Sequence, residues 1–320
     1  MDFIKKTIGP ELSTFEERFS TAVKSNTALL DRIMKYIIKR KGKQLRPMFV
    51  LLSAKLHGPI NESTYRAAAL VELLHTATLV HDDVVDESFE RRGFFSINAI
   101  WKNKIAVLVG DYLLSKGLLL STSNDDFEHL HILSEAVKQM SEGELLQIEK
   151  SRKLNLDEDI YFEIIRNKTA SLLSSACAVG AYSTTGNKDV TEQMKLFGEK
   201  VGIAFQIKDD LFDYGKADVG KPTGNDIKEK KLTLPLIYTL NKIDKTTRRE
   251  LIYIIKNENR NAKKVQYVID TVVKAGGIKY AEEKMFQYRD EALNILRSFP
   301  ENAERNALEE LVRFTTDRKY

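Results

Sequence analysis

Two short acidic stretches carry the strongest chemical signal in this chain of 320 residues. Residues 81–86 read HDDVVD and residues 209–213 read DDLFD, so Asp82, Asp83 and Asp86 have the same spacing as Asp209, Asp210 and Asp213. Each stretch closes an apolar run. On a helix, Asp82 and Asp86 share a face one turn apart, and Asp83 lies about 100° round from Asp82. Like charges so placed repel by a few tenths of a kcal/mol, so a cation is expected to hold them. Carboxylates with no histidine or cysteine beside them suit a hard ion. Mg²⁺ takes one or two carboxylates and fills its octahedron with water and phosphate oxygens. One acidic run at a helix end is usually a solvated surface; two of the same spacing, each joined to an apolar helix, point to metal binding.

The basic residues supply what a metal-bound phosphate still needs. GKQLRP at 42–47 sets Lys43 and Arg46 at a helix start, where free N–H groups and the helix dipole also favour anions. Arg91 and Arg92 follow the first acidic run, while Lys168 lies in NKTASL, Lys221 in GKPTG and Lys231 in KKLTLP. Arginine forks match phosphate oxygens, and lysine acts as a point charge. Taken singly, each reads as a solvated charge; together they could hold the outer oxygens of a diphosphate. His75, seven residues before Asp82, falls on nearly the same helix face. A lone histidine on an apolar helix is more often a core residue, but this alignment makes it a candidate as well.

The elements that must position these groups are helices. Periodicity predicts them at 11–40, 46–57, 63–88, 95–102, 104–121, 126–150, 158–183, 190–213, 232–241, 246–257, 262–275, 277–298 and 302–317. Pro47 and Pro235 fit first turns, and no stretch alternates long enough to be a strand. Residues 214–230 form the one long irregular loop. The composition is that of a soluble globular protein, 42% hydrophobic and 30% charged, and the net charge of +4 with interleaved signs gives no nucleic-acid signature. The single cysteine, Cys177, fits a reducing cytosol. The first residues show no signal-peptide core, and no apolar run is expected to approach the ~18–20 residues of a membrane span. The expectation is an all-α, single-domain protein over 1–320 in the cytoplasm.

The stretches GKQLRP, HTATLVHDDVVDESFERRG, GDYLLSKG, NKTASL, FQIKDDLFDY and GKPTGNDIKEKKLTLPL span 42 to 236 and resemble the all-trans polyprenyl diphosphate synthases. The likeness is greatest to the long-chain branch, the octaprenyl and heptaprenyl types that make quinone tails. It implies a helical bundle of the isoprenoid synthase type with a central apolar cavity. It also implies head-to-tail condensation of isopentenyl diphosphate with an allylic diphosphate, two or three Mg²⁺ ions and a homodimer touching a membrane at most transiently. By the same resemblance Asp82, Asp86 and Asp209 are the principal metal ligands, with Asp83 and Asp213 secondary. Arg91, Lys168, Lys221 and Lys231 would meet the allylic diphosphate; Lys43, Arg46, His75 and Arg92 would meet isopentenyl diphosphate. Oxygens near Lys168 and Thr169 and the amide of Gln206 would stabilise the allylic cation, with the departing diphosphate as proton acceptor. Two positions depart from the family pattern: Gln44 replaces an arginine, and Lys230 replaces a glycine before Lys231.

Product length should depend on the helix before Asp82. Ala77 and Thr78 would stand at the mouth of the pocket, with Leu74 and Val71 deeper. Both mouth residues are small, so a long product is expected; close helix packing could also explain the alanine, but a place under the metal face favours the functional reading, in which Ala77→Tyr shortens the product to roughly three or four units. A short-chain farnesyl or geranylgeranyl synthase is the alternative. A terpene cyclase would not need the Lys43–Arg46 site. The His81–Asp82 pair also occurs in HD-type metal phosphohydrolases, but the second acidic run would then have no purpose. A regulatory subunit would tend to lose an acidic run, and both are intact.

Overall fold

A computed structural model describes residues 2–39, 42–91, 93–153, 157–215 and 224–317, the side chains of 152 and 153 excepted. The elements are α1 (Asp2–Ala22), α2 (Ala28–Ile38), α3 (Leu45–His57), α4 (Glu62–Val85), a hairpin of β1 (Glu90–Arg91) and β2 (Phe94–Phe95), α5 (Ile97–Thr122) and α6 (Phe127–Lys153). Then follow α7 (Glu158–Ile165), a π turn (Arg166–Ala170), α8 (Ser171–Thr185), α9 (Lys188–Phe212), α10 (Asn225–Lys228), α11 (Leu234–Lys242), α12 (Lys245–Asn257), α13 (Ala262–Lys274), α14 (Gly277–Leu296) and α15 (Ala303–Asp317). The chain divides into two compact units. The first holds Met1–Val137, Ser175–Lys195 and Pro300–Leu308; the second holds Lys138–Ser174, Leu196–Phe299 and Glu309–Tyr320.

In the first unit α4 and α5 form the main seam. A capping box opens α4: the Asn61 side chain accepts from the Thr64 N–H at 3.0 Å, and the Thr64 hydroxyl accepts from the Asn61 N–H at 3.4 Å. Leu73, Ala77 and Val80 of α4 share an apolar cluster with Ala106, Val109 and Leu113 of α5 and with Ile33 and Met34 of α2. Each leucine fully buried there contributes roughly 1.5–3 kcal/mol. Close approach needs glycine: a Cβ at Gly117 would lie 2.9 Å from Leu70 Cδ1, and one at Gly110 would lie 2.0 Å from His81 Nε2.

The helices that the sequence predicts are present, with four differences, and the expected loop 214–230 contains the short helix α10 at Asn225–Lys228, its residues 216–223 lying outside the described ones. The expected helix 11–40 is two, because Ser25 accepts the Thr27 N–H at 3.1 Å and diverts the backbone. Helix α1 begins far earlier and kinks at Ile8, two residues before Pro10. The expected gap between 102 and 104 appears as a break at Lys102 inside α5. The π turn interrupts the helix predicted over 158–183. The strands are two residues each, below what alternation can reveal. One further expectation is revised: α5 is long and apolar enough to cross a membrane by length and composition, Asp111 and Lys116 being too few charges to disqualify it. It packs along α4 nonetheless.

The break at Lys102 has φ 72° and ψ 160°, a region that is almost exclusive to glycine. Such strain costs on the order of 1–3 kcal/mol, less the extra unfolded-state entropy of a glycine. Lys102→Gly is therefore expected to raise stability by about 1 kcal/mol. Urea unfolding should show a higher midpoint at unchanged slope; a lower midpoint would refute the strain.

The second unit is built on α7, α9, α11, α12, α13 and α14. Its core includes Tyr161, Ile203, Ile207, Leu211, Leu236, Ile254, Val268 and Met285. Pro235 lies in the first turn of α11, as the sequence predicts. A Cβ at Gly277 would lie 2.4 Å from the Pro235 carbonyl oxygen, so α14 passes directly over that turn.

Candidate active site

In the first unit, the acidic run ends α4. Asp82 is half-buried in the last turn and Asp86 is the exposed C-cap, its N–H bonded to the Asp82 carbonyl at 2.8 Å. Asp83 points elsewhere. It is 4% exposed, and Arg91 Nε donates to its carboxylate at 2.7 Å. Burial pushes the Asp83 carboxyl up, and the Arg91 contact opposes that shift. The Asp83 carbonyl also accepts from the Ser88 N–H and from Asn98 Nδ2, both at 3.0 Å. Asp83 thus ties α4 to the hairpin and to α5. Arg91, expected on the allylic diphosphate, is held by Asp83; Arg92 lies outside the described residues.

Lys43 is exposed just before α3, and Arg46 is half-buried in the first turn of that helix. Gln44, where the family pattern has arginine, is the N-cap in a left-handed conformation with φ 52°. His75 is 7% exposed on α4.

In the second unit the other acidic run closes α9. Asp209 is exposed and Asp210 is buried. Asp213 accepts the backbone N–H groups of Asn225 at 2.7 Å and Asp226 at 3.0 Å, which anchors α10 beside it. Lys168 and Thr169 lie in the π turn, a distortion common at functional sites. Thr169 Oγ1 donates to Gln206 Oε1 at 2.8 Å, Gln206 Nε2 donates to Asp210 Oδ1 at 2.8 Å, and the Tyr161 hydroxyl donates to Asp210 Oδ2 at 2.8 Å. Lys168 Nζ pairs with Glu144 and lies 3.4 Å from Gln147 Oε1. The second unit therefore gathers four expected residues, Lys168, Thr169, Gln206 and Asp209, around groups that the motifs did not single out.

Tyr161, Glu144 and Asp226 are those groups. Asp226 is half-buried on α10; burial, then the charges of Asp210 and Asp213, push its carboxyl up to about 8. Burial likewise pushes Asp210 up to about 7, against the hydrogen bonds from Gln206 and Tyr161. The charge of Lys231 opposes both shifts, so its ammonium serves this acidic group. Lys230 is exposed in a left-handed conformation with φ 59°. Lys231 is half-buried, and Glu229 Oε2 lies 2.5 Å from its Nζ. Lys221 lies outside the described residues.

Among the described residues, no three Asp, Glu, His or Cys side chains gather closely enough to hold a metal by themselves. Burial, the first cause of the raised Asp210 and Asp226 carboxyls, favours their neutral forms.

This crowding sets a pH dependence. A carboxyl raised from 3.8 to about 8, as in Asp226, contributes stability that is complete below its unfolded value and lost as pH rises through 8. Asp226→Asn should therefore stabilise the metal-free protein by several kcal/mol at pH 8.5 and by little near pH 4. His57 and His129 act oppositely, since burial pushes both below 6.5 and their contribution is lost as pH falls. Urea midpoints of wild type and variant across pH isolate the Asp226 share; a constant difference would refute it.

A glycine fixes the π turn. A Cβ at Gly143 of α6 would lie 2.9 Å from the Lys168 backbone nitrogen and 2.9 Å from Asn167 Cβ. Backbone must give way, so Gly143→Ala is expected to lower kcat by about tenfold or more through misplacement of Lys168 and Thr169. Undiminished kcat in the folded variant would show that the turn tolerates displacement.

The comparisons with known proteins decide the family. A sequence profile described as Polyprenyl synthetase matches residues 27–272. The chain belongs to the polyprenyl synthetase family. It is similar to the all-trans-nonaprenyl-diphosphate synthase (geranyl-diphosphate specific) of Rhodobacter capsulatus, at 35% identity over 326 residues and 99% of both chains. It is similar also to the geranylgeranyl diphosphate synthase of Saccharolobus solfataricus, at 31% identity over 314 residues and 94% of both chains. Among solved structures, the polyprenyl synthase of Caulobacter crescentus complexed with calcium and isoprenyl diphosphate matches with a TM-score of 0.92 and 32% identity, over 100% of this chain and 98% of that one. The polyprenyl synthetase fold is all-α, as the sequence predicts, and the chain is a prenyltransferase. Its relatives make products of different lengths, so membership alone does not fix the length.

Proposed function

We propose that this prenyltransferase condenses isopentenyl diphosphate with an allylic diphosphate, head to tail and with Mg²⁺, to give a long all-trans polyprenyl diphosphate for a quinone side chain. The observation that carries this reading is the pair of matched acidic runs, the second joined by hydrogen bonds to Gln206 and through it to Thr169, beside Lys168 in the π turn. Asp82 and Asp86 in the first unit and Asp209 in the second would be principal metal ligands, with Asp83 and Asp213 secondary in their own runs. When bound, Mg²⁺ neutralises the charge that grows on the leaving diphosphate. Lys168 and Lys231 add fixed positive charge for the same oxygens. The Gln206 amide and the Thr169 oxygens supply dipoles for the allylic cation, without a strong nucleophile among them. Lys43, Arg46 and His75 would take the second diphosphate.

The test is incubation of the purified chain with isopentenyl and farnesyl diphosphates, with Mg²⁺ or with excess chelator. Dephosphorylated products should be long prenols formed only with the metal; absence of any elongated product in Mg²⁺ would sink the reading. The chain is read as one catalytic domain, cytoplasmic and homodimeric. Support for the dimer comes from α5, whose Val107, Leu108, Leu118 and Leu119, all beyond the break at Lys102, are exposed on one side of the helix. Sedimentation of Leu108→Glu beside wild type tests it; identical mass for the two would count against that face.

A further inference from the structure

The geometry points to His81 and Gly110 as positioning residues: the His81 ring, seated in a notch of α5 at Gly110, holds the last turn of α4 so that Asp82 and Asp86 keep their spacing. This inference rests on the reading just given and adds two residues to it. The last turn of α4 is a poor helix end by its own chemistry. Asp82, Asp83 and Asp86 crowd a C-terminus, where the helix dipole disfavours negative charge, and Asp82 and Asp86 repel one turn apart. Helix ends fray unless something outside holds them. After Asp82, that hold is Asp83, whose carbonyl accepts from Asn98 Nδ2 and whose carboxylate accepts from Arg91. Before Asp82, it is His81.

The ring occupies the room that a side chain at Gly110 would take. The three atoms nearest to a Cβ there are Nε2, Cδ2 and Cε1 of His81. From the notch, Nε2 meets the Val107 carbonyl at 3.2 Å, and Asp111 Oδ1 lies 3.6 Å away. A carbonyl only accepts, so Nε2 donates. Val80 is 4% exposed in the α4–α5 seam, and His81 carries that contact on to the residue before Asp82. Gly110→Ala would evict the ring. The His81 side chain is already 32% exposed, so it can swing out to solvent, and alanine is the better helix former. The fold is then kept and the seat is lost. A frayed turn no longer presents Asp82 and Asp86 together to a metal-bound diphosphate, while Lys43 and Arg46, at the start of α3, are untouched.

The test is a double-mutant cycle of Gly110→Ala and His81→Ala, read as KM for each substrate and as the Mg²⁺ concentration that gives half-maximal rate. Each single change should raise the allylic KM and the Mg²⁺ requirement about tenfold and leave the isopentenyl KM within about twofold. In the His81→Ala background, Gly110→Ala should alter these values less than about twofold, because the ring it would evict is gone. His81→Gln, whose amide N–H can reach the same carbonyl, should return them to within about threefold of wild type. Losses that multiply in the double variant, equal rises in both KM values, or a glutamine no better than alanine would overturn the inference. A second readout needs no turnover. Calorimetric binding of inorganic pyrophosphate with Mg²⁺ should weaken about tenfold in Gly110→Ala. The His81 Nε2 signal, in protein labelled with ¹⁵N-histidine and assigned by its loss in His81→Ala, should shift in the same variant. Undiminished binding or an unmoved signal would overturn the seat even if the chain made no prenol, so the two failures are distinguishable. Thermal melting confirms that each variant folds; should Gly110→Ala not fold, His81→Ala and His81→Gln carry the same test.

Discussion

Asp209→Asn and Asp82→Asn should each lower kcat by about 10³-fold, the loss expected when one preorganised contact to developing charge is removed. Neither should unfold the protein. Asp209 is exposed and Asp82 half-buried, and asparagine keeps the size while removing a charge from a crowded run. Melting temperatures should therefore stay level or rise slightly. The neighbouring aspartates should behave differently, which makes the pair diagnostic. Asp83→Asn strips Arg91 of its buried partner and should cost stability, because a hydrogen bond to a charged group contributes about 1.5–3 kcal/mol. Asp213→Asn weakens the anchoring of α10. The measurement is kcat at saturating Mg²⁺ and substrates beside a melting curve for all four variants. Turnover within tenfold of wild type in Asp209→Asn or Asp82→Asn would remove that residue from the metal site. Wild-type turnover in excess chelator would remove the metal from the reaction.

Much of this was legible in the sequence, for a physical reason. Metal and diphosphate chemistry needs charged residues at fixed spacing on helices, and both the spacing and the helix ends are written in the chain. Asp82, Asp209, Lys168 and the helices bearing them could be located that way. Asp210 could be seen but not its burial, since only tertiary packing places Tyr161 against it. Tyr161 itself is one apolar-looking residue seven positions before Lys168, and the π turn between them shifts the helical register. Asp226 lies within the segment 214–230 that the sequence predicts as irregular, so no periodicity links it to Asp213. Lys102 gave the opposite signal: a lysine advertises no backbone strain, although the gap predicted beside it was real.

Product length is the last expectation, and the structure moves its test by one residue. Counting back from Asp82 at about 100° per residue, position 78 returns to within roughly 40° of that face, whereas position 77 falls about 140° away. The structure agrees. Ala77 has no exposed surface and is packed in the seam with Ala106, Val109 and Leu113, so its smallness serves helix packing rather than lying under the metal face. Thr78 is half-buried, and its hydroxyl is satisfied within α4 by the His75 carbonyl at 2.9 Å. Below it on the same face come Leu74 and Val71; Leu74, with Leu70, packs over Gly117 of α5. A tail growing from Asp82 along this helix meets Thr78 first. Thr78→Phe should therefore cut the product from roughly six to eight isoprene units to about three or four, because a bulky side chain in an apolar pocket excludes what lies beyond it. The first condensation should continue, since neither acidic run is touched. Ala77→Tyr should behave otherwise: a ring forced into a closed seam costs about 1–3 kcal/mol or more and should lower the melting temperature. Chromatography of dephosphorylated products from wild type and both variants decides between them. Full-length product from a folded, active Thr78→Phe would show that the growing chain does not follow this face of α4, and shortening by Ala77→Tyr alone would return the mouth of the pocket to the seam.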